Sequence, residues 1–298
     1  MGNIFYLPFE IDFILWLQAI GHNSIWQNVL ISFFNTVSFF GEQLIAIIIL
    51  GVIYWGIDKE KGKRLGLMLV CVNIVYPLIK NIVKRSRPWF SNENIKNLRD
   101  VEGYSFPSGH SCNASGIYSS LALMFKKKCL TVIAFILPLL VALSRNYLGA
   151  HYLSDVIVGL VIGYLLAFII NKYYDKLKSN KAAAIILLIS ASGLFYCTSS
   201  DYFSSLGMLI GYILAVNFED KITKFQNTDK WYLIILRTVV GGGIYLLLDK
   251  AIKWLFALVK VSSYAEMLLR SLRYTIIIFV LFALYPLIFK PIEKIIKK

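Results

Sequence analysis

The sequence predicts an all-α fold, a polytopic membrane helical bundle of about nine transmembrane helices with a range of eight to ten. Three observations predict it. Of the 298 residues, 58% are hydrophobic, and the mean hydropathy of +0.66 lies far above that of an ordinary soluble domain. Runs such as EQLIAIIILGVIYWGI and YLSDVIVGLVIGYLLAFIINKYY are apolar on nearly every face, where a soluble amphipathic helix has one apolar stripe. Short charged clusters divide these runs at intervals that suit a bilayer, which a helix of about 20 apolar residues crosses.

On that measure spans are expected near 41–57, 64–83, 109–126, 129–146, 152–172, 182–198, 204–218, 231–249 and 272–290. The segment 204–218 is the shortest. Residues 9–40 are aromatic, mildly polar and broken at Gly21, so they read as interfacial helices or as one further span. Within 231–249, Arg237 is costly unless it is paired or near the interface. The triplet Gly241–Gly242–Gly243 reads as a helix-packing surface, and 250–273 as an amphipathic element on the outer surface. Asp201, Asp249 and Glu266 are the other charges of note in this region.

A formal charge of +14 does not indicate nucleic acid, because the basic residues are spread over short loops rather than gathered on one soluble face. Their distribution sets an orientation. Lys59, Lys61, Lys63, Arg64, Lys126, Lys127, Lys128, Lys172, Lys176, Lys178, Lys181, Lys221, Lys224, Lys230, Lys290, Lys294, Lys297 and Lys298 fall on one side. By the positive-inside rule that side, with the C-terminus, is cytoplasmic, and nine spans then put the N-terminus outside. No basic residue precedes Lys59, so no cleavable signal peptide is expected. Cys71, Cys112, Cys129 and Cys197 lack metal-type spacing and read as small buried hydrophobes.

The minority of cations on the outer face is the informative set. KNIVKRSRP carries Lys80 and, after six residues, Arg87–Pro88. PSGH ends at His110. SRNYLGAHYLSD carries Ser144–Arg145, then His151, then Asp155. Lys80, Arg87 and Arg145 supply three cations, of which arginine is the better bidentate partner for phosphate oxygens. Ser108 and Gly109 precede a helix, where unpaired N–H groups and the positive dipole end favour an anion. His151 and Asp155, four apart, share a helical face, so the carboxylate can fix the imidazole tautomer and leave the other nitrogen to attack. His110 can protonate a leaving oxygen. Together they form a site for phosphoryl transfer through a phosphohistidine. Lys84 and Arg85 read as snorkelling or headgroup-contacting side chains.

These three blocks, Lys-x6-Arg-Pro, Pro-Ser-Gly-His and Ser-Arg-x5-His-x3-Asp, resemble the signature of the type 2 phosphatidic acid phosphatase superfamily at every position. The resemblance spans roughly residues 41–175. It implies a membrane phosphatase with no metal and no cofactor, in which His151 is the nucleophile, Asp155 orients it and His110 is acid and then base. It further implies that Lys80, Arg87, Ser108, Gly109, Ser144 and Arg145 bind phosphate. The extra C-terminal spans are similar in layout to the branch holding sphingosine-1-phosphate phosphatases and glucose-6-phosphatases. The expected organisation is interfacial or partly inserted helices in 1–40, a catalytic core in 41–175 and a four-helix membrane extension in 176–298.

The expected activity is hydrolysis of a lipid phosphate or diphosphate at the extracytoplasmic face. Undecaprenyl diphosphate, phosphatidic acid, phosphatidylglycerol phosphate and a sphingoid phosphate are all compatible substrates. Membrane lipids are the other expected partners, and nucleic acid is not one. Two further readings stay open at the level of sequence: a phosphotransferase using the same intermediate, and a non-catalytic lipid-binding or transport protein.

Overall fold

With no water in the hydrocarbon layer, backbone N–H and C=O groups must be satisfied within the spanning segment, and apolar runs accordingly become helices. The computed structural model describes residues 3–21, 26–259 and 261–291, and of residue 180 the backbone only. Among these the secondary structure is helical throughout, apart from a single isolated bridge between Asn3 and Arg85. The all-α expectation holds.

The chain divides into two compact units. The first holds residues up to Ala46, Val75–Tyr173 and Leu194–Ser199. Helix α1 (Pro8–Ala19) starts on a proline, and the Glu10 carboxylate accepts the Leu7 N–H at 2.9 Å. Its buried Ile11 and Ile14 pack with Ile95 and Tyr152, while Leu17 joins Phe34 of α2 (Trp26–Phe39), Tyr147 and Leu148. The described residues of 9–40 thus form two helices, α1 and α2. After the end of α4 (Lys59–Val83), the short α5 (Pro88–Ser91) and a loop lead to α6 (Gly109–Phe125). Helices α6 and α7 (Lys128–Tyr147) run antiparallel across a tight turn at Lys126 and Lys127. Helix α8 (Leu153–Leu177) approaches α6 through glycines. A Cβ at Gly159 would stand 2.7 Å from the Ser108 carbonyl, and one at Gly163 would overlap Ser115 Oγ.

The second unit holds Ile47–Ile74, Tyr174–Gly193 and the chain from Ser200. Helix α3 (Gln43–Gly51) runs into a π-helical segment, Val52–Ile57. Helix α9 (Asn180–Ala191) is short, and α10 (Ser200–Phe218) packs on α12 (Ser263–Phe279) with the Gly207 and Gly211 backbones against Ser271 and Thr275. Lys63, 1% exposed, is bound by Glu219 at 2.6 Å, so two buried charges neutralise each other. In α11 (Trp231–Ala257), Arg237 is buried and donates to the Trp55 carbonyl at 2.5 Å and to that of Gln226 at 3.2 Å, which answers its cost in an apolar run. Of the glycine triplet, Gly241 alone packs, against the Trp55 ring; Gly242 and Gly243 have nothing within 4 Å of a Cβ. Of residues 250–273, those up to Ala257 end α11 and those from Ser263 begin α12.

Nine spans are not reproduced. Among the described residues six helices are long and apolar enough to cross a membrane: Lys59–Val83, Lys128–Tyr147, Leu153–Leu177, Ser200–Thr223, Trp231–Ala257 and Ser263–Pro291. A seventh arises if Trp26–Phe39 and Gln43–Ile57, bent by 46°, form one span. Helix α6 has 17 residues, with Ser111, Ser115 and Ser120 buried in place of apolar side chains, and Lys181–Phe195 is shorter still. The segment expected at 204–218 is longer than its apolar centre suggests. Cys112 and Cys197 are buried as expected, whereas Cys71 is partly exposed and Cys129 exposed. Lys294, Lys297 and Lys298 lie outside the described residues.

Candidate active site

The first unit brings the three sequence blocks together. Lys80 lies in the last turn of α4 with its Nζ 5.6 Å above the Tyr76 ring. Arg87 precedes the proline that starts α5 and is held by backbone carbonyls. It donates to Gly103 at 3.0 Å, Ala150 at 2.9 Å and Glu102 at 2.6 Å. Its Nη1 also stands 3.4 Å from Nε2 of His151. A guanidinium fixed on three carbonyls is pre-oriented, so little entropy is lost when it meets an anion.

His151 sits in the turn between α7 and α8, 2% exposed. Its Nδ1 is 3.4 Å from Oδ2 of Asp155 and 3.4 Å from Ser105 Oγ. The same carboxylate oxygen accepts the Tyr152 N–H at 2.9 Å and the Ser105 hydroxyl. Asp155 therefore caps the start of α8 and faces the imidazole at once. An N–H at Nδ1 is directed to the carboxylate, and Nε2 is left toward Arg87. Burial, then the fields of Arg87, Arg145 and Lys80, hold the imidazole well below the ordinary histidine range, so it is neutral and able to attack.

Arg145 and His110 carry the remaining buried nitrogens of the site. Arg145 is fully buried; Nη1 donates to Ser38 Oγ at 2.7 Å, while Nε and Nη2 have no partner among the described residues. His110 Nε2 is likewise buried without one. His110 interacts electrostatically with Arg145, His151 and Lys80. A buried polar group left unpaired costs about 1–3 kcal/mol, more when charged. Three such nitrogens on these two side chains are what an anion would satisfy.

Ser108 is the N-cap of α6, accepting the Ser111 N–H at 3.4 Å, and Gly109 opens that helix against the Tyr76 ring, which a Cβ would approach to 3.1 Å. The Ser108 N–H, however, is spent on the Asp155 carbonyl at 3.0 Å, and the Ser144 hydroxyl donates back to Val141 at 2.6 Å within its own helix. These two donors serve the scaffold. Sequence reasoning also missed four residues. Arg85 is no snorkelling side chain: it is 2% exposed and bound to both Asp155 and Glu10. Glu10, Ser38 and Ser105 have no spacing relation to the blocks. Arg85 alone carried a signal, as a basic residue on the face where the charge rule predicts few.

Among the described residues no group of three or more His, Cys, Asp or Glu is placed to hold a metal ion. Residues 61–179 match the family model described as the PAP2 superfamily, and residues 203–294 match that of the PAP2 superfamily phosphatase transmembrane extension. Phosphatidylglycerophosphatase B of Bacillus subtilis (strain 168) is 33% identical over 126 residues, 38% of this chain and 60% of that protein. Sphingosine-1-phosphate phosphatase 2 of Mus musculus is 28% identical over 128 residues, 41% of this chain and 36% of its own length. In neither relative does the match reach two thirds of the protein. A crystal structure of a transmembrane PAP2 type phosphatidylglycerolphosphate phosphatase from Bacillus subtilis aligns over 59% of this chain and 100% of its own, with 26% identity and a TM-score of 0.41. The chain belongs to the PAP2 superfamily, as a PAP2 domain followed by the transmembrane extension of the superfamily's phosphatases.

Proposed function

We propose that the chain is an integral-membrane phosphatase that hydrolyses a lipid phosphate or diphosphate through a phosphohistidine. The observation that carries this is the convergence of orphaned donors of Arg145 and His110 on the pocket of a neutral, carboxylate-backed His151. Nε2 of His151 attacks phosphorus. The bond to the leaving oxygen breaks, and that oxygen takes a proton from His110. His110 then takes a proton from water, whose oxygen attacks phosphorus and releases His151. Lys80, Arg87 and Arg145 balance the charge on the equatorial oxygens, a task these cations perform without a metal ion. Catalysis is assigned to residues 41–175, and 176–298 to the membrane extension.

The site is proposed to face away from the cytoplasm. The support is the sidedness of the basic clusters, with Lys59–Arg64 and Lys126–Lys128 at the helix ends opposite the Lys80–Arg87 segment. This requires both α6 and Lys181–Phe195 to cross a thin part of the bilayer or to be met by adjacent headgroups. A mouth at the membrane surface suits an amphiphile whose tail stays in lipid. The two relatives are named for phosphatidylglycerophosphate and sphingosine 1-phosphate, both lipids with a phosphate headgroup.

The test is phosphate release by protein purified in detergent with EDTA present, against prenyl, glycerolipid, sphingoid and sugar phosphates. Release from at least one lipid phosphate and its loss in His151→Ala are expected. Full activity of that variant would sink the mechanism, and a need for added metal would remove the metal-free step. Labelled phosphate on a second molecule instead of in solution would convert the assignment to a phosphotransferase.

A further inference from the structure

We propose that Arg99, held at the rim of the pocket by Glu42, receives a second phosphate and fits the site to diphosphate esters. The proposal rests on the phosphatase reading above. Neither residue belongs to the three sequence blocks.

The end of α2 and the turn between α2 and α3 lie against Arg145 and His110. Ser38 accepts from Arg145 Nη1 at 2.7 Å. Three residues on, the Gly41 backbone lies against His110: a Cβ there would stand 2.7 Å from the His110 carbonyl oxygen and 3.1 Å from its Cβ. The next residue, Glu42, forms an ion pair with Nη2 of Arg99, and Asn35 Oδ1 is 3.5 Å from Nη1. Arg99 is therefore fixed one residue away from the segment that touches both His110 and Arg145.

Exposure separates Arg99 from the inner cations. Its side chain and that of Glu42 are each 26% exposed, whereas Arg87 and Arg145 are 3% and 0% exposed. The inner pair meets the phosphoryl group that is transferred, and Arg99 stands where the next group outward passes. A partly exposed ion pair contributes little, so Glu42 yields Arg99 to a phosphate that offers two oxygens to the guanidinium fork. In a diphosphate ester the terminal phosphorus bonds to His151 Nε2 and the bond to the bridging oxygen breaks. That oxygen keeps the electron pair and takes the proton from His110. The departing lipid monophosphate carries charge that Arg99 stabilises, while a monoester presents nothing at that position.

The test compares farnesyl diphosphate with farnesyl monophosphate, which share one tail, in wild type, Arg99→Gln and Glu42→Gln. In Arg99→Gln the ratio of kcat/KM for diphosphate over monophosphate should fall about tenfold or more, the worth of a charge-assisted hydrogen bond. In Glu42→Gln the ratio should rise, because Arg99 loses its competing carboxylate. An unchanged ratio in both variants would overturn the proposal and leave the pair a structural latch. If Arg99→Gln does not fold, an unchanged ratio in Glu42→Gln is sufficient to reject it. Calorimetric binding of methylenediphosphonate and methylphosphonate needs no turnover. If wild type hydrolyses neither ester, the phosphatase reading is decided by the wider phosphate panel and this inference by binding alone. A selective loss of diphosphonate affinity in Arg99→Gln supports it, and equal losses reject it.

Discussion

Arg85 and Asp155 are joined by a buried ion pair, Nη1 to Oδ1 at 2.6 Å, with side chains 2% and 0% exposed. The other oxygen of the same carboxylate faces His151 Nδ1 at 3.4 Å. One end of Asp155 is thus neutralised and the other is left to orient the imidazole. Arg85 also binds Glu10 at 2.8 Å and lies 3.9 Å over the Tyr152 ring, while Glu10 accepts both the N–H and the hydroxyl of Ser154. The result is a brace from α1 to the start of α8 that holds the carboxylate facing the histidine. In the proposed mechanism this makes Arg85 a positioning residue.

Replacing Arg85 by Gln leaves two buried carboxylates without their cation. Breaking a buried pair from one side costs about 3–5 kcal/mol. A clear fall in melting temperature in detergent is therefore expected, and kcat should fall more than KM changes. Arg85→Lys keeps the charge but loses the planar fork that serves both acids, and should fall between wild type and Gln. Wild-type stability and kcat in Arg85→Gln would show that the brace is idle.

Much of this site was legible because its chemistry is local in sequence. His151 and Asp155 are one helical turn apart, Ser108 caps the helix that bears His110, and Arg87 stands beside its proline. The brace was illegible because it joins residues far apart in sequence, Glu10 with Arg85 at 75 positions and Arg85 with Asp155 at 70, and Arg145 likewise finds Ser38 107 positions away. Short polar side chains such as Ser38 and Ser105 have no pattern until packing brings them together. The helices themselves followed from hydropathy. Their number did not, because α6 carries buried serines where it meets the glycines of α8, and loses the hydropathy by which a span is recognised.

His151 gives stability a defined pH dependence. Burial and then Arg87, Arg145 and Lys80 hold its pKa below the ordinary value of about 6.5, so the unfolded chain takes up that proton first. Its contribution is complete above about pH 6.5 and declines as pH falls from there toward the folded value. For Glu10, burial raises the pKa, but the N–H of Leu7, the hydroxyl and N–H of Ser154 and the Arg85 charge outweigh it and leave the group lowered. That contribution is lost only below the unfolded glutamate value of about 4.3. The melting temperature should be level down to about pH 6.5 and then fall, less steeply in His151→Gln. Stability that rises between about pH 6.5 and 5 would contradict the neutral, buried histidine.

Gly241 and Gly242 are neighbours on α11 with opposite surroundings. A Cβ on Gly241 would meet the Trp55 ring, and one on Gly242 would meet nothing within 4 Å. The indole is not free to yield: Nε1 donates to the Leu281 carbonyl at 3.2 Å, and the Tyr285 ring stands edge-on with centroids 5.3 Å apart. Alanine in place of a helical glycine stabilises by about 0.5–1 kcal/mol where space is open. Overpacking a filled site costs about 1–3 kcal/mol. Gly242→Ala should therefore raise the melting temperature in detergent slightly, and Gly241→Ala should lower it by more. Shifts of the same sign and size in the two variants would mean that the triplet is spaced for flexibility, and that the contact with Trp55 does not decide it.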